Sequence, residues 1–103
     1  MAIHFVKCTP NHFSEVLTER KKFEIRFNDR DYQIGDFVVL EEYILPTTTN
    51  SGYYTGRYVL VDVLDIFDIG DLFAGYVAFN FRLISNRISQ KILKRQQKFL
   101  NKR

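Results

Sequence analysis

The stretch RKKFEIRFNDRDYQIGD, from Arg20 to Asp36, combines a short alternating strand with two turns. Side chains of a strand alternate between its two faces, so the pattern from Lys22 to Phe27 places Glu24 and Arg26 on one face and apolar residues on the other. Residues 28–31, Asn-Asp-Arg-Asp, have the composition of a turn. The stretch therefore presents charge on a rigid strand beside a turn, and the search for a functional site starts there.

The sequence pattern of the rest of the chain predicts mainly strands. Thr9 and Pro10 form a helix start, with Thr9 at the N-cap and Pro10 at the first helical position, and we predict a short helix that ends near Glu19 and buries Phe13, Val16 and Leu17. The connections are mainly short, which favours a small, mostly β barrel of about five strands over a parallel α/β sheet. The predicted strands cover residues 3–8, 22–27, 37–40, 54–67 and 75–84.

Charge divides the chain into two parts. Residues 1–81 carry a net charge of −5, whereas residues 82–103 contain eight basic and no acidic side chains. From residue 85 the apolar residues recur with a helical period, among them Phe99 and Leu100. We predict a domain over residues 1–84 and a basic amphipathic helix over residues 85–103, which packs on the barrel, lies on nucleic acid or binds a protein partner.

Composition narrows the class of protein. A chain of 103 residues forms one domain, and its single cysteine, Cys8, excludes an intramolecular disulfide and favours a reducing compartment. We expect Cys8 to be a buried, unreactive strand residue. The N-terminus lacks the features of a signal peptide, and no apolar run approaches the roughly 20 residues of a membrane span. The expected location is the cytoplasm, with no membrane partner.

The motif of the opening stretch resembles the ASCH branch of the PUA-like superfamily, and more narrowly a small group of uncharacterised bacterial and phage proteins within it. The resemblance covers most of residues 3–84. It rests on Lys21-x-x-Glu24-x-Arg26, Asn28-Asp29-Arg30-Asp31-Tyr32-x-Ile34-Gly35-Asp36, His4-x-x-Lys7, Tyr54-Thr55-Gly56-Arg57 and Gly75-Tyr76-Val77. It implies a β-barrel with a cleft beside the motif that binds RNA or a modified nucleotide or nucleoside. Activities in the wider superfamily include nucleoside deacylation and RNA cleavage.

The chain departs from the family pattern at two positions. Glu19 stands where the family usually has glycine, at the turn that enters the motif strand. Glu24 stands where the amidohydrolases of acetylated cytidine pair the motif lysine with a threonine. The second departure counts against transferring that activity to this chain.

We predict a ligand site in which Arg26 holds a phosphate or a base edge, Lys21 adds positive charge and Glu24 accepts a hydrogen bond from an amino group. The alternative is a surface ion-pair network between Glu24, Arg26 and the charged residues 29–31. The resemblance implies that His4, Tyr54 and Arg57 also bind the ligand.

Three functions are open at this point. The first is an RNA- or nucleotide-binding module. The second is an enzyme that hydrolyses an acylated nucleoside or cleaves RNA, with Lys21 as nucleophile or base and Glu24 as its acid or base partner. The third is a protein-interaction module that acts through residues 85–103. His4 and His12 without a cysteine cluster do not suggest a metal site, so we expect no metal and no cofactor.

Overall fold

Five strands and two helices follow one another along the chain, in the predicted order. The structure is a computed structural model that describes the backbone of residues 1–101 and the side chains of residues 1–95. Phe99 and Leu100, assigned above to the apolar stripe of the tail, lie outside the described side chains. The elements are β1 (Ile3–Cys8), α1 (Pro10–Leu17), β2 (Phe23–Phe27), β3 (Phe37–Ile44), β4 (Tyr53–Asp68), β5 (Tyr76–Leu83) and α2 (Asn86–Asn101).

The strands form one sheet in the order β1-β3-β4-β5-β2, in which β1 and β3 are parallel and every other pair is antiparallel. No backbone pairing joins β1 to β2 within residues 1–101, so the sheet is a half-barrel and the expectation of a closed barrel is corrected. A side chain spans the opening instead: Nη2 of Arg26 on β2 donates to the carbonyl oxygen of Lys7 on β1 at 2.8 Å. We call the opening between β1 and β2 the seam.

The hydrophobic core fills the inner face of the half-barrel. Helix α1 closes this face with Phe13 and Val16, both buried as predicted, whereas the prediction that Leu17 is buried is wrong, because this residue is 44% exposed. Burial of apolar side chains of this size contributes about 1.5–3 kcal/mol each, which makes the core the main stabilising contribution. The strand residues of the core include Val6, Val38, Leu40, Val61, Val77, Phe79 and Phe81.

Strand β2 has the predicted alternation, but the face that turns inward is the charged one. Glu24 is only 4% exposed, while Phe23, Ile25 and Phe27 are each about half exposed. The register explains the arrangement, because Glu24 lies opposite the core residue Phe79 of β5. The strand therefore directs a carboxylate towards the interior and leaves its apolar side chains outside.

Helix α2 packs on the other side of the sheet. Val39 and Leu60 are paired across β3 and β4, and both are buried although they are not part of the inner core. The buried Ser89 of α2 lines a pocket together with Leu60, and its hydroxyl donates to the carbonyl of Ile84 at 3.3 Å. Packing on the sheet, one of the three roles considered for the tail, is thus observed for its first turns.

Neither of the two helices described over residues 1–101 is both long enough and apolar enough to cross a membrane.

Helix α1 ends in a Schellman motif. The amide of Arg20 donates to the carbonyl of Glu15 at 2.9 Å, and the amide of Glu19 donates to the carbonyl of Val16 at 3.0 Å. Glu19 lies in the left-handed region with φ of 61°, the conformation for which glycine is usual at this position. The departure from glycine seen in the sequence is therefore accommodated with backbone strain, and the turn still delivers Lys21 to the start of β2.

Replacing Glu19 with glycine should stabilise the protein. Relief of the left-handed penalty, about 1–2 kcal/mol, exceeds the extra chain entropy of glycine in the unfolded state, about 0.4–1 kcal/mol. We expect the midpoint of thermal unfolding to rise by about 4 °C for a net gain of about 1 kcal/mol. Glu19→Ala is the control, because it removes the carboxylate and keeps the strain. An equal rise in both variants would show that charge, not φ, limits stability here.

Asp36 ties the N-terminus to the turn before β3. Its buried carboxylate accepts hydrogen bonds from the amides of Ala2 and Gln33, both at 3.0 Å, and lies 2.8 Å from Nε2 of His4. The imidazole packs edge-on against Tyr32 with ring centroids 4.9 Å apart. Burial alone would raise the pKa of Asp36, but the bonds from Ala2, His4 and Gln33 hold that pKa below its ordinary value.

The depressed pKa of Asp36 predicts acid lability. The carboxylate binds a proton more readily in the unfolded chain, so its contribution to stability is present above the unfolded pKa of about 3.9 and is lost as pH falls through the lower folded pKa. Asp36→Asn should lower stability at pH 7 by about 1–3 kcal/mol and show a shallower loss below pH 4. Urea unfolding across pH measures this, with the exposed Asp29→Asn as control. Parallel loss of stability below pH 4 in the wild-type protein and Asp36→Asn would contradict the assignment.

Candidate functional site

The seam is held at its centre by the guanidinium of Arg26. Its Nε donates to Oε2 of Glu24 at 3.0 Å, and its Nη2 donates to the carbonyl of Lys7 at 2.8 Å. One cation thus joins the buried carboxylate of β2 to the open edge of β1. Nη1 makes no hydrogen bond to the described residues and remains available as a donor.

Glu24 is buried with one of its oxygens unsatisfied. Oε2 is bound by Arg26, but Oε1 accepts no hydrogen bond from the described residues, although Nζ of Lys21 lies 3.4 Å away. A buried polar atom without a hydrogen bond costs about 1–3 kcal/mol and is uncommon in folded proteins. Oε1 is therefore ion-paired with Lys21 but keeps its capacity to accept a hydrogen bond.

Lys21 links β2 to the first helix. The Schellman turn places it at the entrance to β2, where Nζ lies 3.2 Å from Nδ1 of His12 on α1 and 5.6 Å from the ring centroid of Phe23. The contacts with Glu24 and His12 hold the ammonium group at the seam. The two cations and the carboxylate of the predicted motif thus form one cluster rather than a scattered surface network.

Two grooves open along the seam. The first has a volume of about 660 Å³, within the range of small-molecule sites, and the second about 350 Å³. They share Lys7 and Arg26, so the Arg26 bridge stands where they meet. The first groove is lined by Lys7, Cys8, Thr9, His12, Lys21, Phe23, Glu24, Ile25 and Arg26, and the second by Phe5, Val6, Lys7, Arg26, Phe27, Asp29, Arg30, Tyr32 and Tyr54.

The second groove has aromatic walls and cations. Nζ of Lys7 lies 4.3 Å from the ring centroid of Tyr43, which in turn meets the ring of Tyr54 edge-on at 5.0 Å. Tyr54 and Phe27 are each about half exposed. Arg30 forms no ion pair with the side chains described over residues 1–95. This groove therefore presents ring surface and positive charge without a buried acceptor such as Glu24.

The turn of residues 28–31 has the structural role expected for it. The side-chain oxygen of Asn28 accepts a hydrogen bond from the amide of Tyr32 at 3.1 Å, which closes the turn. Neither Lys21, Glu24 nor Arg26 pairs with a charged residue of this turn among the described side chains. The ion-pair network proposed as the alternative is thus absent from this part of the chain.

The predicted ligand set is brought together only in part. Lys21, Glu24 and Arg26 line the first groove and Tyr54 lines the second, whereas His4 and Arg57 line neither groove. His4 is bound to Asp36.

Arg57 takes part in a separate cluster on β4. Its guanidinium lies 4.9 Å from the ring centroid of Phe13 and 3.7 Å from the buried Glu42, which also accepts a hydrogen bond from Thr55 at 2.8 Å. These contacts fix α1 against the sheet, so the described role of Arg57 is in packing.

Comparison with known protein families assigns the chain to one of them. The sequence model of a family described as a domain of unknown function, DUF3850, matches residues 3–81. The chain belongs to the DUF3850 family. The matched segment contains every residue that lines the two grooves of the seam, while α2 lies beyond it.

A phage protein is similar to this DUF3850 chain. It is described as an uncharacterized 12.9 kDa protein in the GpA 3′ region of Escherichia phage P2, and it is 36% identical over 75 residues. The match covers 73% of this chain and 63% of the phage protein, so the aligned segment spans less than two thirds of that relative.

Sequence reasoning predicted only Lys21, Glu24 and Arg26 of the nine residues that line the first groove, and it missed His12 and Cys8 among the others. His12 was considered only as a metal ligand and Cys8 only as a core residue. The sequence did carry a signal for both, because α1 begins two residues after β1 and its first turn must lie at the end of that strand. Burial makes the largest contribution and the charge of Glu24 the next largest, and together they raise the pKa of the Cys8 thiol to about 11. Cys8 is therefore a protonated thiol at neutral pH and forms part of the groove wall.

Proposed function

We propose that this DUF3850 domain binds RNA or a nucleotide-like ligand at the seam between β1 and β2, as an ASCH-like module of the PUA-like superfamily. The observation that carries the proposal is the buried carboxylate of Glu24 at the wall of the first groove, which is ion-paired with Lys21 and Arg26 and whose Oε1 accepts no hydrogen bond from the described residues. The ASCH assignment itself is supported by the motif of residues 21–36 and by the order of the elements.

The cations suit a phosphate. Arg26 holds its place with Nε and Nη2 and keeps Nη1 for a ligand, and the fork of a guanidinium matches the geometry of a phosphate. Lys21 adds a second charge beside it and Lys7 a third at the border with the second groove. An anionic ligand at the seam would therefore meet three cations, two of which are paired with the single carboxylate of Glu24.

The carboxylate suits the edge of a base. An ionised glutamate only accepts hydrogen bonds, and the amino groups of cytosine, adenine and guanine are donors. Phe23, about half exposed on the same groove, offers a ring on which a base can stack. Uracil has no amino group and donates only through its N3–H, so an acceptor placed to meet an amino group favours bases that carry one.

Removal of either cation should weaken binding. We expect Arg26→Ala and Lys21→Ala to lower the affinity for a labelled single-stranded hexaribonucleotide by about 10- to 100-fold, as for hydrogen bonds to charged groups. If each cation contacts one phosphate, the slope of log affinity against log salt should fall by about 0.7 per variant. Fluorescence anisotropy over a salt series measures both quantities.

The matched control is Arg20→Ala, because Arg20 adjoins Lys21 in sequence, is well exposed and lines neither groove. Its affinity should equal that of the wild-type protein. Retained affinity in Arg26→Ala and Lys21→Ala would exclude the seam as the binding site.

The contact between Lys21 and His12 favours one second candidate, an enzyme that hydrolyses an acylated nucleoside. Nζ of Lys21 lies within hydrogen-bond reach of Nδ1 of His12, and an adjacent general base is one way in which a nucleophile is activated. Water would add to the acyl carbon, the C–N bond would break, and a carboxylate and the free nucleoside would leave.

Chromatography of acetylated cytidine incubated with the purified protein tests this candidate. If the protein is such an enzyme, cytidine is released by the wild-type protein and by Arg20→Ala but not by Lys21→Ala. Equal release by the wild-type protein and Lys21→Ala would indicate a contaminant, and no release would leave the binding module alone. Labelled RNA in the same assay reports on cleavage.

A further inference from the structure

We propose that the seam binds two successive nucleotides of a single strand, one in each groove, with Arg26 between them on the phosphate that links them. This inference rests on the proposed function and names its ligand class: a single-stranded dinucleotide or longer, rather than a free nucleoside.

The first support is the way the grooves meet. Each of them is lined by Arg26 and Lys7, and by no other residue in common. A ligand that occupies both grooves must therefore cross these two cations. In a strand of nucleic acid, the group that lies between two bases is the sugar-phosphate backbone, whose charge the guanidinium complements.

The second support is that each groove has its own exposed ring. Phe23 lines the first groove at 51% exposure and Phe27 the second at 54%. They are four residues apart on one strand, or about 13 Å, and the same face of β2 carries both. A single base cannot stack on two rings at that separation, whereas two bases joined by a backbone can reach both.

The ring of Phe27 is held in place for this role. A Cβ on Gly75 would lie within 2.5 Å of the Phe27 ring, so the glycine allows the ring to lie directly on the backbone of the chain. Tyr76 meets the same ring edge-on, with centroids 5.6 Å apart. A ring fixed on one side and exposed on the other loses little freedom when a base stacks on it.

The two grooves differ in the bases that they can distinguish. The first contains the carboxylate of Glu24, whose Oε1 accepts no hydrogen bond from the described residues, so it distinguishes bases by their amino groups. The second contains rings, Lys7, Arg30 and the carboxylate of Asp29 at the turn. With stacking as its main contact the second groove tolerates any base. The two positions of a bound dinucleotide should therefore differ in base specificity.

The experiment compares dinucleoside monophosphates with mononucleotides as competitors of the labelled hexaribonucleotide. CpC contains one more base than CMP and carries less negative charge, so tighter binding of CpC cannot come from electrostatics. We expect CpC to bind at least about 5-fold more tightly than CMP, the lower limit for one stacked base. Phe27→Ala should remove this advantage and leave CMP binding unchanged, while Phe23→Ala should weaken both ligands.

The matched control is Phe67→Ala, because Phe67 on β4 is also 54% exposed and lines neither groove. Binding of CpC and CMP to this variant should equal binding to the wild-type protein. Thermal unfolding followed by circular dichroism checks that every variant is folded.

Sequence isomers test the difference between the grooves. CpU and UpC have the same composition and differ only in the order of their bases. Because the two grooves differ in base specificity, the two isomers should bind the wild-type protein with different affinities. They should bind Glu24→Gln with nearly equal affinities. Equal binding of CpC and CMP, or a CpC advantage that survives Phe27→Ala, would overturn the two-groove inference and leave the proposed function intact. Absence of binding by all of these ligands would overturn the proposed function as well.

Discussion

The half-barrel and its site both depend on the guanidinium of Arg26. If β1 and β2 paired through their backbones they would lie about 4.8 Å apart, and no groove would remain between them. A side chain that reaches the carbonyl of Lys7 joins the two edges at one point and leaves space on either side. The two grooves are thus the parts of the opening that lie on either side of the bridge. The same bridge covers part of two strand edges that would otherwise be free to pair with another chain.

The burial of Glu24 is difficult to explain by stability alone. A buried ion pair often contributes no more than well-packed apolar residues would, because desolvation offsets the attraction between the charges. Here the cost is greater, since one carboxylate oxygen has no hydrogen bond among the described residues. A leucine in place of Glu24 would pack against Phe79 and would be sufficient for the fold. Polar groups that a fold does not need are concentrated at functional sites, which is why the cluster supports a function more strongly than its ion pairs support the structure.

The sequence was sufficient to predict the elements and part of the site, because these depend on local patterns. Alternation predicted β1 and β2, and Thr9-Pro10 predicted the start of α1. The spacing of Lys21, Glu24 and Arg26 placed three partners close together on one short segment. The orientation of β2 could not be predicted in this way. Alternation shows that two faces differ, but which face turns inward is decided by the pairing of β2 with β5, in which Glu24 lies opposite Phe79, a residue distant along the chain.

The second groove was beyond prediction for the same reason. It brings together β1, the turn after β2 and Tyr54 of β4, and only the sheet order makes these segments neighbours. The prediction of a barrel also went too far. The resemblance describes the fold of a family, whereas the extent of pairing between the edge strands is a property of the individual chain. The position of His4 likewise depended on Asp36, a partner 32 residues away.

The exposed phenylalanines of β2 and its buried carboxylate are best understood together. Apolar side chains on an edge strand are a liability in solution, and a carboxylate turned inward is a cost to the fold. In the middle of a sheet the two faces of a strand are separated by its neighbours, but at an open edge both faces can be reached from one side. The first groove shows this arrangement, since Phe23 and Ile25 of the outer face line it together with Glu24 and Arg26 of the inner face. A flat ligand with polar edges, such as a base, can use both faces at once: its ring contacts the apolar side chains and its edge reaches the carboxylate.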